Sequence, residues 1–165
     1  MNWGTFTKAE RDAAYNNPAA VPDNPALNTA REEASARFRA ANPEHLDIRY
    51  GPRPRNTMDL FPAADLHAPC IVFIHGGYWQ RFDKHQFSNI IAGPHSRGWS
   101  AAMLGYTLAP DVTLTEIAAE INTALGWLAT NGAVHGIAGP IVLSGWSAGG
   151  HLTCLLYTSP SPRDS

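Results

Sequence analysis

After residue 45, hydrophobic positions along the chain follow two alternating rhythms. Short apolar runs occupy 46–51 (LDIRYG), 57–61 (TMDLF), 70–75 (CIVFIH), 100–106 (SAAMLGY) and 140–145 (PIVLSG), each of a length suited to a strand. The third and fifth are almost unbroken in apolar residues, which predicts strands covered on both faces. Between the runs the spacing changes to threes and fours. Leu114, Ile117, Ala118, Ile121, Leu125 and Leu128 fall on one side of a helix, and Thr113 with Glu116 forms a capping-box pattern at its start. A second helix is expected after Asp83, carrying Phe87, Ile90 and Ile91 inward until Gly93-Pro94 interrupts it. Strands alternating with helices predict an α/β fold, a mostly parallel sheet with helices on both faces.

Residues 1–45 stand apart from this alternation. The stretch 18–28 (PAAVPDNPALN) carries three prolines and reads as extended loop, whereas Thr29 to Ala41 is rich in Ala, Glu and Arg and reads as a helix stopped at Asn42-Pro43. The expectation is an exposed lead-in, or a lid, ahead of a domain at 46–153.

Composition narrows the function classes. At 165 residues, 44% hydrophobic and 16% charged, the chain suits one globular domain with a core, not a disordered or fibrous protein. Twelve Lys and Arg against fourteen Asp and Glu leave a formal charge of -2, so no basic field exists to hold nucleic acid or an anionic membrane. Neither is expected as a partner. The opening MNWGTFTKAERDAAYNN has no apolar signal core, which makes a cytoplasmic protein the expectation. Cys70 and Cys154 are read as reduced thiols without chemistry.

Two segments carry chemistry, both at the end of an expected strand. GWSAGG at 145–150 fits GxSxG with Gly145, Ser147 and Gly149 in place. A serine at a sharp strand-to-helix turn sits in strained backbone that needs small neighbours, and its hydroxyl then projects above the sheet. The bland reading is a Gly-rich turn; the strand before and helix after favour a nucleophile elbow. HGGYW at 75–79 follows the strand CIVFI. Glycines let backbone N–H groups approach a developing oxyanion, although a strand-end turn would read the same way in isolation.

With both motifs in hand, the chain resembles the alpha/beta-hydrolase superfamily, within it the esterases and lipases with an HGG oxyanion motif, and is most similar to the arylformamidase (kynurenine formamidase) family. The likeness rests on HGGxW (His75, Gly76, Gly77, Trp79), YNNPAAVP near residue 15, YGPRPRNTMDLFPA at 50–63, GYTLAP at 105–110 and SAGGHLT at 147–153. It implies an eight-stranded, mostly parallel sheet and a serine nucleophile at Ser147. It further implies oxyanion donors at Gly77, Tyr78 and Ala148, and no cofactor. The implied substrate is a small molecule, an N-formyl aryl amide such as N-formylkynurenine, cleaved through an acyl-enzyme. A small-acyl carboxylesterase using the same parts is the alternative, and a noncatalytic hydrolase-fold binding protein is the reading from another class. A homodimer stays open.

The departures from that family are equally specific. Its triad runs Ser, then Asp or Glu, then His, on loops after later strands. After Ser147 this chain offers only His151, one turn along the expected helix, and Asp164. The end of the chain, CLLYTSPSPRDS, resembles translated read-through of a sequencing-library adapter, so native sequence is expected to stop near Thr153; a natural Pro/Ser-rich tail is the alternative. On this reading the chain holds about the first five strands and lacks its acid and base. His75 is expected to steady its loop by a hydrogen bond, and His45, His67, His85, His95 and His135 to be solvated. Tyr78 and Trp79 line an aromatic pocket or belong to the core. No HExxH pair, cysteine cluster or GxGxxG continuation supports a metal or dinucleotide site.

Overall fold

The computed structural model describes residues 3–158 of the 165-residue chain. Helices α1 (Lys8–Ala14) and α2 (Asn24–Ala40) precede a five-stranded sheet built from β1 (Ile48–Arg49), β2 (Thr57–Phe61), β3 (Cys70–Ile74), β4 (Ser100–Leu104) and β5 (Ile141–Gly145). The strands lie in the order β1-β2-β4-β3-β5, and each falls inside one of the apolar runs. β3 pairs parallel with β4, Cys70 against Ser100, and with β5, Cys70 against Ile141. β1 and β2 run antiparallel, with Met58 opposite Leu104 where β2 meets β4. The sheet is therefore mixed, its parallel part being β4, β3 and β5. The loop at 50–56 between β1 and β2 is too short for the crossover a parallel pair needs.

Alternation along the strands divides the core between the two faces. Met58, Leu60, Val72, Ile74, Ala102 and Leu104 pack with α4 (Leu114–Asn131, through Ile117, Ile121, Ala124 and Leu128) and with Leu152 of α5 (Ala148–Thr158). Phe61, Phe73, Ala101 and Met103 pack on the opposite face with Phe87, Ile91 and Phe38 of α2. The Thr113–Glu116 capping box is present at the start of α4. Leu114 is exposed, one turn ahead of the stripe that begins at Ile117.

Four local expectations change. The loop read at 18–28 holds a 3-10 turn at Asn17–Ala20, and α2 begins at Asn24, because Pro25 in a first turn gives up an N–H that would have no helical partner anyway. The segment after Asp83 is a 3-10 helix, Lys84–Ile91, followed by α3 (Ala92–His95), which contains Gly93-Pro94 instead of being interrupted by it. Lys84, Phe87, Ser88 and Ile91 form its buried side, and Ile90 is 41% exposed because it falls between those positions. β5 is not covered on both faces: Ile141 and Val142 are exposed, and among the described residues no strand pairs with its outer edge. Finally, α5 runs through Cys154 to Thr158, while 159–165 lie outside the described residues.

Residues 24–40 are no loose lead-in. Ser35 is fully buried on α2, and its side chain exchanges hydrogen bonds with Asn89, while Arg31 Nε donates to the Gln86 carbonyl. Deeper in, Asp59 of β2 is completely buried and pairs with Arg39 of α2 and with Lys84 at 3.1 Å, and it accepts the Asp47 N–H at 2.9 Å. Lys84 also pairs with Asp47. A buried carboxylate with two cationic partners holds α2, β2 and the 3-10 helix to one another, and deleting one member leaves the others charged and dry. Asp59→Ala is expected to lower the free energy of unfolding by about 3–5 kcal/mol, read as the shift of the urea midpoint. A shift under about 1 kcal/mol would show that the cluster behaves as a surface pair.

Candidate active site

β3 and β5 end side by side, and the two chemical motifs follow them. Trp146 and Ser147 are the two residues between β5 and α5, and Ser147 has φ +55, the left-handed conformation that costs an L-residue about 1–3 kcal/mol and persists only where its surroundings enforce it. Enforcement comes from close backbone approach. A Cβ on Gly149 would stand 2.0 Å from the Ile74 carbonyl oxygen, and one on Gly145 would stand 2.4 Å from the Gly149 backbone. Gly145 and Gly149 are therefore small because the crossing of strand and helix leaves no room. The turn is closed by Trp146 N–H donating to Ile74 O and Gly149 N–H donating to Trp146 O.

The HGGYW loop folds against this turn. A Cβ on Gly76 would meet Trp146 O at 2.7 Å and Ser147 Cβ at 3.0 Å. Gly77, Tyr78 and Trp79 all have positive φ, +115, +53 and +60, so the loop doubles back at once after β3. The Gln80 and Arg81 amides both donate to the Gly77 carbonyl, which leaves Gly77 at the bottom of a tight bend. Ser147, Gly77 and Tyr78 thereby line one cavity of about 260 Å³. Ala148, the third implied donor, is the buried first residue of α5, where backbone N–H groups lack helical partners. The two aromatics divide the alternatives left by the sequence. Tyr78 is half exposed at the cavity, while Trp79 packs against the core with its ring edge-on to His151 at 5.3 Å.

His75 is completely buried between Tyr106, stacked at 4.3 Å, and Phe87 at 6.1 Å. Its Nδ1–H donates to Gly76 O at 2.8 Å, and the Tyr106 hydroxyl donates to the His75 carbonyl at 2.8 Å. Burial pulls its pKa down to about 4, so it is a neutral brace under the loop. His151 is exposed on α5 and faces Trp79. Asp164 lies outside the described residues. His67 and His85 are exposed as expected, His85 bonding Asp83. Three others depart from the solvated expectation because neighbouring elements fold over them. His45 and His135 are half-buried with their Nδ1 atoms 3.4 Å apart, and burial together with His45 lowers the His135 pKa; His95 stands edge-on to Phe38. Among the described residues no group of three or more His, Cys, Asp or Glu is arranged to hold a metal ion, and no helix is long and apolar enough to cross a membrane.

The cavity wall opposite the elbow was not foreseen. Asn24, Asn28 and Arg31 of α2 line it, together with Arg81 and Phe82 of the loop. Their spacing on α2 is a helical stripe of polar residues, a signal present in the sequence but indistinguishable there from a solvated face.

A sheet with parallel strands β4, β3 and β5, helices on both faces, and a left-handed serine between β5 and α5 is the architecture of an alpha/beta hydrolase. The comparisons narrow this. The family described as BD-FAE matches residues 58–163, and the chain belongs to that family, an esterase-like and arylformamidase-like branch of the alpha/beta hydrolases. It is similar to a kynurenine formamidase of Drosophila melanogaster, 31% identical over 69% of this chain and 38% of that protein. It is also similar to esterase LipC of Mycobacterium tuberculosis, 28% identical over 66% of this chain and 28% of that protein. Among solved structures, a protein assigned as a thioesterase from Silicibacter sp. TM1040 superposes with TM-score 0.74 at 37% identity, covering 85% of this chain and 52% of that one. The chain thus spans 38% to 56% of the length of the first curated relatives it matches.

The buried imidazole makes stability depend on pH. In the unfolded chain His75 takes up a proton near pH 6.5, whereas in the fold it resists protonation down to about 4. Between those values the unfolded state holds more protons, so stability falls as pH falls. The loss attributable to His75 should reach roughly 3 kcal/mol by pH 4. Urea titrations at pH 7 and pH 4.5 measure it, and His75→Phe, which keeps the stacking, should flatten the dependence. An equally steep fall in that variant would assign the pH effect elsewhere.

Proposed function

We propose that the protein is a serine acyl hydrolase in which Ser147 is the nucleophile and the N–H groups of Gly77, Tyr78 and Ala148 receive the oxyanion. The observation that carries this reading is the left-handed Ser147 between β5 and α5, sharing one cavity with Gly77 and Tyr78. The hydroxyl attacks a carbonyl, its proton passing to a histidine base, and the tetrahedral oxyanion collapses as the leaving group departs with a proton. Water then cleaves the acyl-enzyme. The acyl donor proposed is an N-formyl aryl amide of the N-formylkynurenine type, its formyl group passing to Ser147 as the aryl amine leaves and then to water as formate, with no cofactor taking part. Support comes from the HGGYW loop and from the kynurenine formamidase similarity. The reading is of a cytoplasmic enzyme, for which the unpaired thiols Cys70 and Cys154 are suited.

Two measurements test the reading. A version carrying the later strands of the relatives should hydrolyse N-formylkynurenine with a higher kcat/KM than an acetyl ester of similar size, and Ser147→Ala should abolish both activities. Preference for the acetyl ester moves the assignment to a small-acyl carboxylesterase; no turnover of either substrate leaves a hydrolase-fold binding protein, and activity that survives Ser147→Ala overturns the assignment of the nucleophile.

The 165-residue chain by itself is expected to turn over little or nothing. Among the described residues no histidine is positioned as a base for Ser147: His75 is bonded to Gly76, and His151 faces Trp79. Loss of the histidine from such a triad removes about 10⁶ in kcat, while oxyanion donors retain about 10³ over water. Ordinary turnover by the soluble chain, sensitive to Ser147→Ala, would identify a base among the upstream histidines.

A further inference from the structure

We infer that Arg31 of α2 is the specificity-determining residue of the cavity over Ser147, selecting acyl substrates whose non-reacting part carries a carboxylate, as the proposed N-formylkynurenine type does. The inference rests on the proposed reading of Ser147 and names what lies opposite it. Two arginines, Arg31 and Arg81, are among the residues that line the cavity, and no Asp or Glu is. In a chain of net charge -2, a concave site with cations alone is a local reversal of sign, which favours an anion there.

Arg31 is held in place in the apo fold. Its guanidinium lies 4.4 Å from the Phe87 ring centre and 5.4 Å from that of Phe82, and its side chain is only 17% exposed. Nε donates to Gln86 O at 3.1 Å and Nη1 to Asn28 Oδ1 at 2.8 Å. Nη2 reaches Glu32 at 3.4 Å, a half-exposed carboxylate that also accepts from Gln86 Nε2 at 2.8 Å. Each Nη atom therefore keeps a further N–H, the two donors that a carboxylate held on two bonds needs. Asn28 is itself positioned, donating to Asn24 Oδ1 at 3.0 Å. Arg81 lies 5.9 Å from the Tyr78 ring centre and has no ion-pair partner among the described residues. It lines the same cavity from the HGGYW loop and adds a second positive residue there.

Binding, not turnover, tests this, because it needs no base. Phenylacetate and phenylacetamide have nearly the same shape and differ in charge. On the 165-residue chain, titrated by the shift of the Trp146 indole signal, the carboxylate should bind about tenfold more tightly. Its advantage should shrink as salt is raised from low to about 0.5 M. Arg31→Gln should weaken phenylacetate more than phenylacetamide and so remove the preference, and Arg31→Lys should restore part of it. Because Arg31 also braces the 3-10 helix, its variants are melted in parallel, and Arg81→Gln, on the exposed loop, reduces the preference without touching that brace. Equal binding of the two probes, no binding of either, or a preference untouched by Arg31→Gln and Arg81→Gln would overturn the inference. Labelling of Ser147 by a fluorophosphonate is read separately. A carboxylate preference without labelling keeps the anion pocket and removes the nucleophile, and labelling without preference does the reverse.

Discussion

Gly149 lies so close to the end of β3 that a Cβ placed on it would stand 2.0 Å from the Ile74 carbonyl oxygen, and the same crowding surrounds Gly145 and Gly76. Three chain segments meet where only hydrogen fits. Because they meet, β5 must turn into α5 within two residues, and the second, Ser147, is driven into left-handed backbone. The same contact brings the HGGYW loop against the serine. The position of the serine and of the loop beside it follows from this approach of strand end, loop and helix start, and a methyl group at any of the three positions would push them apart.

The N-terminal segment is coupled to that junction by charge. Asp59 is buried on the sheet face that α2 covers, paired with Arg39 and Lys84, and such a group fixes the position of its partners because none can move without exposing an unpaired charge to a dry surface. Holding Arg39 in place sets the register of α2 along the 3-10 helix. Two turns earlier on the same helix, Arg31 then falls at the cavity, stacked on Phe87. His75 completes the support from below: its ring lies between Tyr106 and Phe87, so Phe87 touches both the brace under the loop and the arginine in the wall. The residues before the domain thus act as a wall of the site, a role that an exposed lead-in could not have.

β5 illustrates where apolar pattern and burial separate. IVLSG is apolar enough to be a central strand, yet Ile141 and Val142 are exposed and its outer edge is unpaired among the described residues. Ile90 separates them in the other direction. It is apolar and near the inward residues, but the 3-10 helix buries 84, 87, 88 and 91, and a side chain between those positions faces water. Pattern reports what a segment can bury, and neighbours determine what it does bury.

The amino-acid sequence by itself determined the five strands, the capped helix α4, and the elbow with its glycine loop, because each depends on local chemistry: alternation, cap residues, and backbone that only glycine tolerates. It also carried the family, since those motifs are contiguous. Only the tertiary structure decided that β1 and β2 run antiparallel, that Asp59 is buried with Arg39 and Lys84, and that Asn24, Asn28 and Arg31 face Ser147 across more than a hundred intervening residues. Those are long-range pairings, and a polar helical stripe looks the same along the chain whether it meets water or a cavity. The physical difference lies in what packs opposite, which exists only once the chain has folded.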